Sequence, residues 1–152
     1  MNRNRFALSD LSIVMVVAVI LSGCAPVRAL TKGKTIAPGE VVKRFYDWHM
    51  RYPGNVMVDG AYRSSEYLTE EFVEKVDAIV ASFDRGGYDP FLCAQDIPGD
   101  LIVGEPVVSG DEASVVVHEV WNVGTEYEIV HEVMVELQMV GGAWTIADIV
   151  CR

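Results

Sequence analysis

The 152-residue chain is short of positive charge: 12 lysines and arginines stand against 22 aspartates and glutamates. That balance opposes nucleic-acid binding, because affinity for a phosphate backbone comes from lysine and arginine. Histidine and cysteine are scarce too, at three each. No spacing among them supplies the four ligands of a structural zinc. Two His-Glu dipeptides, His118-Glu119 and His131-Glu132, lack a third ligand. Neither a metal nor a cofactor is expected. Repeats and low-complexity runs are absent, and no apolar stretch reaches the ~20 residues of a membrane-spanning helix.

What the chain does hold is a shorter apolar run, Leu11 to Leu21, behind a start that carries Arg3 and Arg5. This is the anatomy of an export signal. Small residues Ser22 and Gly23 follow, then Cys24. Leu21-Ser22-Gly23-Cys24 matches a lipobox, in which the cysteine thiol takes a diacylglyceryl group and the peptide is cut just before it. The competing reading, an uncleaved anchor with an incidental cysteine, suits a longer apolar run. Lipidation at Cys24 is therefore expected, with residues 1–23 as the signal. Each buried methylene contributes about 0.8 kcal/mol, so two or more acyl chains hold where one exchanges. Residues 24–37, with Pro26 and Gly33, read as the lipidated cysteine and its tether. Arg28, Lys32 and Lys34 are placed to meet anionic headgroups. The expected address is the cell envelope, on the periplasmic face of the outer membrane if the host has two membranes.

The leader takes with it two arginines and one aspartate, so the mature 129 residues keep 10 basic against 21 acidic residues, a net charge of −11. Their length suits one domain, 38–152. With Cys24 used for lipid, Cys93 and Cys151 remain, and an even count in an exported domain predicts one disulfide. On chain-entropy grounds it is worth about 4 kcal/mol.

Pro38 and Glu40 suit a first helical turn. Val41, Phe45, Trp48 and Tyr52 then recur at helical spacing, until Pro53-Gly54 stops the helix. A short turn is expected over Ser64 to Leu68. Thr69 caps a second helix with Glu70 and Glu71 in its first turn. Its buried stripe is Phe72, Val76, Ile79 and Phe83, and Gly86-Gly87 ends it. The rest reads as strands: a weak edge strand over Leu101 to Val108 containing Pro106, then Ala113 to Asn122, then an alternating strand from Tyr127. Gly141-Gly142 makes a two-residue hairpin into Ala143 to Cys151. Pairing 140 with 143 sets Met139 against Trp144, Leu137 against Ile146, Val135 against Asp148 and Val133 against Val150. Helices followed by an antiparallel meander predict an α+β fold, with the N-terminal helices on one face of a curved sheet. This is the cystatin-like, nuclear transport factor 2-like cup.

Val42-x-x-Phe45-Tyr46-Asp47-Trp48 resembles the opening motif of a bacterial lipoprotein family, domain of unknown function 3828. Tyr88-Asp89-Pro90-Phe91-Leu92, Ala94-Gln95-Asp96 and the ending Trp144-x-Ile146-x-x-Ile149-x-Cys151 are similar to it as well. The resemblance spans most of 38–152 and implies an envelope lipoprotein with the cup fold. It implies no activity. His49 stands where that family's pattern has an aromatic residue.

The hairpin register turns His131 and Asp148 onto the inner face, where a histidine and an aspartate can serve as acid and base. Asp148 nevertheless falls about 13 Å along the strand from His131, too far for a hydrogen bond. The long polar loop 84–100 offers Asp84, Tyr88, Asp89, Gln95 and Asp96 as binding-loop candidates. Its acidic spacing is not that of a calcium loop. The leading expectation is a non-catalytic, membrane-anchored module that binds an envelope protein or small ligand through the cup mouth and this loop. The alternative is a small enzyme using His131 and Asp148. A cup filled by Trp48, Phe72 and Val76 favours the module, and a wet cup with a perturbed His131 favours the enzyme.

Overall fold

The computed structural model describes residues 35–84 and 86–152. The expected signal, Cys24 and most of the expected tether lie outside the described residues. Helix α1 spans Pro38–Arg51, and α2 spans Glu70–Ala81. Between them Ala61–Ser64 forms one 3₁₀ turn, a few residues before the turn expected from sequence. The strands are β1 (Asp100–Val103), β2 (Val107–Ser109), β3 (Glu112–Trp121), β4 (Ile129–Val140) and β5 (Ala143–Cys151). All sheet pairings are antiparallel, in the order β1-β3-β4-β5, with β2 also on β3. The α+β class predicted from the sequence is the one observed.

Local chemistry explains most boundaries. Pro38 opens α1, where its missing N–H costs nothing. The Thr69 hydroxyl accepts from the Phe72 N–H at 3.2 Å and caps α2. Gly141 and Gly142 have φ of 60° and 89°, the left-handed pair a tight hairpin requires. The single edge strand expected over 101–108 is instead two strands, broken at Gly104-Glu105-Pro106. Proline cannot donate to the ladder. Gly104 also passes so close to β3 that a Cβ there would meet the Val116 carbonyl at 2.9 Å.

The core fills the inner face. Val42, Phe45 and Tyr46 of α1 meet Phe72 and Val76 of α2, with Phe91 of the loop among them. The sheet contributes Val115, Val117, Val133, Val135, Leu137 and Ile146. Trp48, expected in this filling, is only partly buried at its margin. The cup is therefore packed rather than wet. The far edge of β5 is covered, because Ile146 donates to the Tyr67 carbonyl and accepts from the Thr69 N–H.

The hairpin register holds for Met139–Trp144 and Leu137–Ile146 and then shifts by one residue, opposing Glu136 to Asp148 and Val135 to Ile149. A β-bulge supplies the shift. It returns Ile149 to the core in the place the simple register gives to Asp148.

Candidate functional site

The two ends of the sheet can be told apart by what meets them. Where the described chain enters, the Thr35 hydroxyl donates to the Gly142 carbonyl at the β4–β5 hairpin. The 12 residues of β4 carry the sheet roughly 40 Å from there. At the opposite, distal end gather the C-terminus of α1, the 53–60 segment, the end of α2 and much of loop 84–100. They enclose a cleft of ≈ 450 Å³.

Four of the five loop candidates, Tyr88, Asp89, Gln95 and Asp96, line this cleft; Asp84 does not. The loop is fastened by a Cys93–Cys151 disulfide, as the cysteine count predicts. Asp89 anchors it internally: Oδ1 accepts from the Phe91 N–H at 2.8 Å, and Oδ2 lies 2.8 Å from His49 Nε2. The buried His49 ring stacks on Phe45, and its Nδ1 has no partner among the described residues. The Tyr46 hydroxyl donates to the Phe91 carbonyl. Burial, with Glu119 and Asp89 nearby, drives the ionisation of Tyr46 far above the ordinary tyrosine range.

The opposite wall was not read from the sequence. Asn55, Val56, Met57 and Val58 form it, held by the Asn55 side chain accepting from the N–H groups of Met57 and Val58. An asparagine folding back on its own backbone is a turn signal, but nothing local shows what the turn faces. Val80 and Phe83 also line the cleft; Phe83, expected in the buried stripe of a helix running to Gly86, lies just past the end of α2 at Ala81.

The structure does not bring His131 and Asp148 together. Asp148 takes a bidentate ion pair from Lys75 of α2, at 2.7 and 2.8 Å. His131 does face inward as expected, but its partner is Glu119, which sequence reasoning missed. The two His-Glu dipeptides cross-pair between β3 and β4. His118 meets Glu132 at 3.3 Å, and His131 Nδ1 meets Glu119 Oε2 at 3.1 Å. Alternation sends the first pair outward and the second inward.

Glu119 is fully buried, and its Oε1 has no partner among the described residues. Desolvation pushes its carboxyl up to about 7, against the opposing pull of His131. On its other side, His131 Nε2 lies 3.1 Å from the Arg152 main-chain oxygen. The imidazole therefore sits between two acceptors, although a neutral ring carries one N–H. Whichever ring nitrogen carries the hydrogen donates to the acceptor it faces. The arrangement gives the buried carboxyl one partner among the described residues, on Oε2 only.

Among the described residues no group of three or more metal-ligating side chains comes together, and no helix is long and apolar enough to cross a membrane.

No family model and no curated protein matches the chain. Solved structures do. A chain of the type VI native effector-immunity complex Tae3-Tai3 from Ralstonia pickettii superposes with a TM-score of 0.57 at 22% identity. The match covers 76% of this chain and 94% of that one. The selenomethionine form of that complex gives 0.56 over 76% and 96% at 22% identity. A protein of unknown function from Bacteroides thetaiotaomicron gives 0.51 at 25% identity, over 72% and 85%. These likenesses establish the α+β cup as a fold used elsewhere.

Proposed function

We propose that this protein is an envelope lipoprotein, anchored through Cys24, whose domain is a non-catalytic module binding a protein partner at the distal cleft. The observation that carries the reading is the assembly of four loop candidates with the 55–58 turn around one open cleft, while the cup interior is packed solid. An enzyme of this fold needs an interior that admits substrate, and here Phe45, Tyr46 and Phe91 occupy it. Exposed apolar residues at the distal end support a protein partner: Val58 is 82% exposed and Ile97 70%. Clustered exposed apolar side chains mark interaction surfaces. The fold neighbour from the effector-immunity complex is itself part of a protein assembly, in line with this reading. The cleft lies at the end of the domain away from the point where the anchored segment joins it.

Two measurements test the reading. Cys24→Ala should abolish acyl labelling and leave an uncleaved precursor; a variant labelled and processed like the parent contradicts the anchor. A photoreactive residue at Gln95 should crosslink a protein in intact envelope, whereas one at Val140 beside the hairpin should not. Equal crosslinking from both positions contradicts the cleft.

A further inference from the structure

The chemistry of the cleft narrows what enters it, on the premise that it binds a protein. Its walls are apolar and adaptable, with Met50 and Met57 beside Leu92 and Phe83. Asp89 and Asp96 bring carboxylates, and no lysine or arginine is among the described residues that line it. Asp89 is committed to Phe91 and His49, whereas Asp96 stands exposed at the rim. The mature chain carries a net charge of −11, which steers cationic surfaces toward it.

An apolar wall ending in a rim carboxylate suits one kind of side chain, a long apolar stem with a cationic head. Thioethers mould to such a stem. Between the two basic residues, arginine has a planar guanidinium that forks onto a carboxylate and stacks on an aromatic ring such as Tyr88; the ammonium of lysine does neither. The cleft volume of ≈ 450 Å³ exceeds one arginine side chain. The remaining space, with Val58 and Ile97 at the mouth, suits apolar neighbours on the same loop.

We propose that the distal cleft receives an arginine carried on an apolar loop of the partner protein, its stem against Met50 and Met57 and its guanidinium on Asp96. This deepens the protein-binding reading and rests on it.

The test is a titration of the disulfide-intact mature protein with acetyl-Leu-Arg-Leu-amide, followed by amide chemical shifts. Saturable shifts are expected at residues 49–58 and 88–97. A peptide with citrulline in place of arginine should bind about tenfold more weakly, the worth of one charge-assisted pair. In Asp96→Asn the two peptides should bind alike. Equal binding of the two peptides to the parent overturns the proposal. So do shifts centred away from the cleft, or none at millimolar probe. Partner recovery from crosslinked envelope distinguishes the failures. If Val58→Glu abolishes recovery while Asp96→Asn preserves it, the arginine is wrong and the protein-binding reading stands. If neither variant changes recovery, both are wrong.

Discussion

The hairpin end and the distal end of this domain are built to different standards. At the hairpin end two glycines make the turn, Thr69 caps α2, and the edge of β5 is covered by Tyr67 and Thr69. At the distal end the rules are broken repeatedly. Cys93 and Asn122 both hold left-handed backbone conformations, φ 51° and 53°, that side chains rarely adopt. Glu119 buries a carboxyl oxygen, and His49 a ring nitrogen, that have no partner among the described residues. Val58, Ile97, Val123 and Tyr127 leave apolar surface exposed, a feature the hairpin end shares through Val107, Val108 and Val140. Local inconsistencies of this kind persist where a site has a use for them and surrounding structure sustains them.

The largest expected effect comes from releasing the fastening of the distal end. Replacing Cys93 and Cys151 together with serine should cost about 4 kcal/mol in urea denaturation. Amide exchange should quicken over 88–98 while the 140–143 hairpin keeps its protection. Uniform quickening at both ends would erase the difference between them.

A smaller effect concerns the buried pair. The Glu119 carboxyl rises from 4.5 unfolded to about 7 folded, so the folded state binds the proton more tightly. Its contribution is full below about pH 4.5 and is lost as pH rises through 7. Water at half-buried His131 screens the pair, trimming the loss to roughly 2 kcal/mol. Glu119→Gln removes the titrating carboxyl and keeps its shape. Its stability between pH 5 and 8 should be flatter than the parent's. An equally steep profile in the variant would place the proton elsewhere.

The smallest effect on stability belongs to the surface. Val58→Glu should change the unfolding free energy by less than about 0.5 kcal/mol, as exposed substitutions do. A loss above about 2 kcal/mol would mean that Val58 is structural, and the cleft wall would need another account.

The same contrast explains what was legible in the sequence. Helical periodicity with Pro38 and Thr69 marked α1 and α2 to within a residue or two at their starts, and Gly141-Gly142 fixed the hairpin. The disulfide followed from counting cysteines. Each of these is a local or arithmetic signal. Asp148 was misplaced because a bulge adds one residue that no local signal announces, and one residue reverses every side chain beyond it. Glu119 was missed because its partner lies on another strand. Once Gly124 marks the β3–β4 turn, the two His-Glu dipeptides can be set opposite each other, and the cross-pairing becomes visible. The 55–58 wall shows only as a turn, since what it faces depends on the whole fold.

On the proposed reading, binding belongs to the distal end. The direct measurement is recovery of the crosslinked partner from intact envelope by two matched charge insertions, Val58→Glu at the cleft and Val140→Glu beside the hairpin, both at exposed apolar positions. Val58→Glu should lose most of the recovery at parental stability while Val140→Glu retains it. Loss with Val140→Glu alone, or equal recovery from both, would contradict that reading.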